Sequence, residues 1–265
     1  MAQTAWLTWL PAEDADAPPL EKYVAAMNSS GYTLGGARWV DDLDKYAWGE
    51  LASRLSSDEA GPETWVVAGR AEDFASTTIR YGLSMTLAMI QSLRKTPPHV
   101  VFLGLDGAPD AASFPTLWKP GKAIDGTAER WAAKLLIQCR GKSALAAPRD
   151  FRLNVIAHSM CGQWFEVGPV EGEWKGGMFG VSEGGAIQQH GVGKANELPK
   201  KTILEYPIDD IKAEVGGHEF NAVACQNKLE PTTSYFIQAQ GHPQHLMFGG
   251  HPEDEDAEAW VVTLA

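Results

Sequence analysis

The stretch Thr64 to Gly107 constrains the fold of this chain more than any other. It reads TWVVAGR, then an apolar-rich segment from Glu72 to Lys95, then PHVVFLGLDG. Two short β-branched runs flank a segment of helical periodicity, the sequence form of a strand, a crossover helix and a parallel strand. Neither strand candidate alternates, as expected where both faces of a sheet are covered. Ile79, Leu83, Leu87, Ile90 and Leu93 form one stripe of the helix, and Met85 and Met89 add apolar surface on another side.

The same alternation extends to either side. Thr4 to Leu10 reads as a first strand, followed by an acidic, Pro-containing loop, AEDADAPP, able to start a helix. Leu20, Tyr23, Val24 and Met27 then mark a one-face helix closed by Gly31. A second strand lies within Tyr32 to Val40, and a second helix within Asp44 to Leu55. Beyond the central stretch, Ala108 to Gly126 is rich in Pro and Gly and reads as a long irregular loop. Thr127 caps a helix running to Arg140, and Phe151 to Ala157 reads as a fifth strand. Five strands alternating with four helices predict an α/β fold with an open, mostly parallel, flavodoxin-like sheet, an unrelated α+β arrangement being the alternative.

After about Gly168 the helical stripes stop. GGMFGVS, TILEYPI, EFNAVAC, SYFIQAQ and AWVVTL are short β-rich runs separated by turn signals such as Gly216-Gly217 and Gly249-Gly250. They predict an antiparallel sheet or small sandwich. The expected organisation is an α/β domain over 1–167 and a β-rich domain or extension over 168–265, with Glu253 to Asp256 a solvated loop before the last strand.

A formal net charge of −12 works against nonspecific nucleic-acid binding, and no Lys/Arg cluster suggests a basic groove. Three cysteines without paired spacing argue against a disulfide framework and fit a reducing, cytoplasmic setting. The first residues lack a basic segment and a sufficient apolar run for a signal peptide, and no apolar window is long enough for a membrane span.

The sharpest chemical motif is Ala157-His158-Ser159-Met160-Cys161-Gly162. It resembles the nucleophile elbow of α/β-hydrolases, where a serine sits on a strained strand-to-helix turn between small residues. Here Ala157 and Cys161 stand at the two glycine positions, and Gly168-Pro169 interrupts any helix behind the turn. A hydrolase would draw its partners from Asp209 or Asp210 and from His242, His245 or His251. The histidines of that last group match no common zinc spacing, and neither a phosphate-binding loop nor a dinucleotide fingerprint is present, so no metal or cofactor is expected. Paired carboxylates, Asp41-Asp42 and Glu72-Asp73, fall at the C-terminal ends of strands two and three, the edge where open α/β sheets bind ligands.

Taken in order, the first 107 residues resemble a TIR-type domain. The likeness is carried by Gly35-Gly36-Ala37-Arg38-Trp39-Val40-Asp41-Asp42, by the strand, serine-containing loop and helix of TWVVAGRAEDFASTTIRYGLSMTLAM, and by PHVVFLGLDG. In TIR domains that cleave NAD, and in the similar nucleoside deoxyribosyltransferase-like group, a glutamate on that helix carries the catalysis. The corresponding place holds Tyr81-Gly82, and the nearest carboxylates, Glu72 and Asp73, precede the helix. The resemblance therefore implies a TIR-like shape without the acid.

These features predict a non-catalytic sensing or interaction module that acts through a protein partner or a small ligand, a nucleotide among the candidates. The alternatives are a serine hydrolase using Ser159 with His245 and Asp210, and a TIR-like nucleotide-processing enzyme with a displaced acid such as Glu72.

Overall fold

The computed structural model describes residues 3–10, 20–57, 61–140, 143–146, 149–251 and 258–265. The acidic loop expected before the first helix and the run Glu253 to Asp256 lie outside them. The chain divides into two units, Met1–Ala147 and Pro148–Ala265.

In the first unit, β1 (Gln3–Trp9), β2 (Tyr32–Arg38), β3 (Thr64–Gly69), β4 (His99–Gly104) and β5 (Lys122–Asp125) form one sheet in the order β2-β1-β3-β4-β5. Every pairing in it is parallel. The alternate side chains of each central strand go to different cores. Ala5, Leu7, Val66, Ala68, Val101 and Leu103 pack with Tyr23 and Met27 of α1 (Glu21–Ser29) and with Leu135 and Cys139 of α5 (Trp131–Cys139). Trp65 and Phe102 take the opposite face, where Trp118 stacks on Phe102 at 4.8 Å and donates its indole N–H to Ser84 of α4 (Thr77–Leu93). Both faces are covered, so after their first residues, Thr64 and His99, β3 and β4 carry apolar residues without alternation.

The expected single central helix is two. α3 (Ala71–Ala75) is short, and Ser76, in an extended conformation, separates it from α4. Likewise Thr127 does not cap α5. Its N–H and hydroxyl both donate to Asp125, and the helix starts only at Trp131.

The second unit is antiparallel throughout. One sheet joins β6 (Phe151–His158), β7 (Gly162–Pro169), β12 (Thr233–Gly241) and β9 (Gly185–Lys194) in that order. The other joins β10 (Ile208–Val215), β11 (His218–Cys225), β8 (Gly177–Val181), β13 (His245–Gly249) and β14 (Ala259–Thr263). Aromatic contacts tie the two faces together: Phe165 to Phe179 at 5.6 Å and Phe151 to Phe248 at 4.9 Å. Gly216 and Gly217 both have positive φ, which a two-residue turn joining β10 to β11 requires.

Three expectations are corrected here. Phe151 to Ala157 is not the fifth strand of the parallel sheet; it pairs antiparallel with β7. That fifth place belongs to Lys122–Asp125, a strand too short to show any period, inside the stretch expected to be irregular. Because β6 belongs with β7, the division between units falls at 147/148 and not after 167. Finally, an α/β class with one open, mostly parallel sheet does not describe the chain. Strand makes up 41% and helix 22%, and the parallel sheet is one of three, the other two being antiparallel. The chain is β-rich. Among the described residues, no helix is long and apolar enough to cross a membrane.

Candidate functional site

The carboxylates expected at the strand ends are engaged in holding the first unit together. Asp41 accepts from the Trp39 indole at 3.3 Å and from the Thr78 hydroxyl, tying the exit of β2 to the first turn of α4. Asp42 is paired with Lys45 at 2.8 Å, a hydrogen bond that keeps its carboxyl below the usual range. Asp73 is buried and accepts from the Arg70 N–H at 2.7 Å, capping α3, while desolvation pushes its pKa up. Glu72 is exposed, 3.7 Å from Arg70. The four residues thus serve three separate local structures and form no common cluster.

The hydrolase constellation is not assembled either. Ser159 sits exposed in the tight turn between β6 and β7, closed by Cys161 N–H donating to the His158 carbonyl at 3.1 Å. A strand follows it, where an elbow needs a helix. His245 and Asp210 lie on the other sheet, Asp210 within the bulge of β10 at φ 57°. Asp209 is bonded to His190 at 3.1 Å, and His190 in turn to the buried Tyr235 hydroxyl, which fastens β10 to β9 and β12. Among the described residues, no three His, Cys, Asp or Glu side chains are placed to hold a metal ion.

Three surface features went unread in the sequence. The first is a cleft of about 880 Å³ in the second unit. β8 stops at Val181, so β11 and β13 flank an open notch beyond it. His218 and His245 stack across the notch with ring centroids 3.8 Å apart. Ser182 accepts from the His245 backbone N–H at 2.9 Å and directs its own hydroxyl to the Glu183 carbonyl.

The second is a groove of about 290 Å³ in the first unit, between the end of β2 and α2 (Trp48–Leu55). Gly36, Ala37 and Arg38 border it on the strand side, Glu50, Leu51 and Arg54 on the helix side, with Trp6 and Thr8 between. The guanidinium of Arg54 lies 4.7 Å from the Trp6 ring centroid.

The third is the segment Thr202 to Ile208, expected to be a strand. Pro207 interrupts it: Thr202 to Pro207 runs as a loop, and Ile208 opens β10. Two side chains pin it. Asn227 accepts from Glu205 N–H at 2.8 Å and donates to the Ile203 carbonyl at 2.9 Å. The Thr202 hydroxyl accepts from Val192 N–H at 2.8 Å, and Gln226 N–H donates to the Glu205 carbonyl at 2.8 Å. On this held backbone Ile203 is 85% and Tyr206 75% exposed. The only sequence signal was the proline within an otherwise strand-like run.

No protein-family model and no curated protein matches the chain. Among solved structures, the crystal structure of ChBD3 from Thermococcus kodakarensis KOD1 is similar over 38% of this chain and 85% of that one, at 17% identity and a TM-score of 0.21. A likeness of that extent says nothing about what this chain does.

Proposed function

We propose that the protein is a non-catalytic interaction module that acts through a protein partner, docked on the loop Thr202 to Pro207 of the second unit. The observation that carries this reading is the exposure of Ile203 and Tyr206 on a backbone fixed by Asn227 and Thr202. Large apolar side chains on a mobile loop lose binding energy to ordering, whereas a held loop has already met that cost. Tyrosine is a favoured anchor at interfaces, and truncating such an anchor typically costs about 2 kcal/mol or more of binding. Glu205, Asp209 and Asp210 flank the apolar pair, so the matching surface is an apolar socket with a basic rim. The three cysteines are free thiols, which supports a cytoplasmic setting.

A photo-crosslinking residue at Tyr206, introduced in the source cell, tests the docking. A discrete adduct is expected, lost on Ile203→Asp, and absent when the same probe replaces the exposed Glu129. Equal labelling at the two positions, or an adduct indifferent to Ile203→Asp, would sink the reading. An adduct between two copies of this chain would identify the partner as the protein itself.

A further inference from the structure

We infer that the groove between β2 and α2 binds a small planar anion, a flat ring carrying a carboxylate or phosphate. The inference concerns the first unit and stands apart from docking on the second.

The groove exists because the sequence removes side chains from one wall. Gly35, Gly36 and Ala37, just before the last residue of β2, carry nothing larger than a methyl group. A Cβ at Gly36 would lie 2.6 Å from the Leu7 carbonyl oxygen, and one at Gly35 2.9 Å from the Trp6 ring. Gly35 is thus required for the strand to lie this close to Trp6, and Gly36 for its approach to Leu7.

The lining is rich in donors and poor in acceptors. Arg38 and Arg54 supply two guanidiniums against a single carboxylate, Glu50, among the described lining residues. In a chain of net charge −12, a surplus of positive charge at one concave place is a local choice. Thr8, 1% exposed, accepts from the Trp65 indole at 2.9 Å, which leaves its own proton to donate. The Trp6 indole nitrogen is buried with no acceptor among the described residues.

Planarity follows from Arg54. Its guanidinium covers the Trp6 face, and its outer face is a flat cation on which a ring can stack. Arg38 at the strand end is then positioned to pair with the anionic group in forked geometry, as guanidinium does with carboxylate or phosphate. The volume of about 290 Å³ suits a metabolite-sized guest and not a polymer.

The test follows the Trp6 indole N–H resonance, assigned by its loss in Trp6→Phe, during titration with benzoate and with AMP, and with uncharged benzyl alcohol and adenosine as counterparts. A saturable shift is expected with at least one anion at millimolar concentration or below and with neither uncharged compound. Response to benzoate alone points to a carboxylate guest, and response to AMP alone to a nucleotide. Arg38→Ser and Arg54→Leu, both at exposed positions, should each weaken the response about tenfold or more with unchanged circular dichroism. No shift with either anion, an equal shift with the uncharged compounds, or full binding by the two arginine variants would overturn the inference.

Discussion

The indole of Trp39 fills the space beside Gly82, so that a Cβ at that glycine would lie 2.6 Å from Cζ2 of the ring. Trp39 is 3% exposed and its N–H is held by Asp41. The neighbouring helix position, Tyr81, is 1% exposed. The place that the sequence resemblance to TIR-type domains marks for a catalytic acid is therefore a packed contact between strand exit and helix, with no room for a carboxylate.

Gly82→Ala should expose this contact energetically. In a free helix the change would stabilise by up to about 1 kcal/mol. Here overpacking against Trp39 reverses the sign, and a net loss of about 1–3 kcal/mol is expected in urea unfolding. Trp39→Leu vacates the ring's position and should cancel most of the penalty, so the double-mutant cycle gives a coupling of about 1 kcal/mol or more. Additive losses would mean that the two residues do not share the space.

Glu166 is the polar anchor of the second unit. It is 1% exposed, and its carboxylate accepts from Asn196 N–H and the Ser234 hydroxyl at 2.7 Å each and from Asn154 at 3.1 Å. Arg152 stands 3.8 Å away and also donates to the carbonyls of Pro169 and Thr233. Glu166→Gln removes the charge and turns an NH₂ toward groups that are themselves donors. A loss of about 2–4 kcal/mol is expected, read as a lower urea midpoint at unchanged slope.

Stability should fall as the solution is acidified below neutrality. His99, His190 and His245 all have pKa values below the ordinary 6.5, burial being the largest cause in each. Asp209 opposes the shift at His190 and Glu63 at His99, whereas His218 adds to it at His245. The unfolded chain then binds protons more readily than the folded one in the window just below 6.5, and stability drops as pH falls through it. His245 faces His218, with Glu183, Lys212, Glu214 and Glu219 also lining the cleft. His218→Asn removes its nearest like-charged neighbour, so the loss between neutral pH and about pH 5 should become shallower. A variant with an unaltered pH profile would count against the stacked pair as a contributor.

How far the sequence reveals this molecule depends on which physical signal each element leaves. β3 and β4 are readable because burial on both faces forces apolar residues into TWVVAG and HVVFLG. β5 is not, since the four residues of KAID follow Pro120-Gly121 and place only two side chains on each face. FRLNVIA reads correctly as a strand but not as a member of its sheet, because periodicity carries no information about the partner, and β7 lies beyond a turn that looked like a catalytic elbow. The groove was hidden for another reason. Trp6, Arg38 and Arg54 come from three separate elements, and only the parallel register of β1 with β2 brings the glycines beside Trp6.

Tyr206 offers the clearest separation of stability from function. It is a non-glycine residue at φ 47°, a left-handed conformation, while its ring is 75% exposed. That backbone costs a side-chain-bearing residue roughly 1–2 kcal/mol, with no burial of the ring to offset it. Glycine adopts the conformation freely but gains entropy in the unfolded chain, so Tyr206→Gly should leave stability unchanged or raise it by up to about 1 kcal/mol. The same variant removes the anchor of the proposed docking loop and should abolish crosslinking from a probe placed at Ile203. Tyr206→Asn, which tolerates the conformation and also lacks the ring, should behave alike in both assays. The strained backbone beneath an exposed ring is the observation that makes Tyr206 the residue to test. If Tyr206→Gly lowers stability by more than about 1 kcal/mol, the ring has a structural role in the folded chain, and the loop is not a docking element.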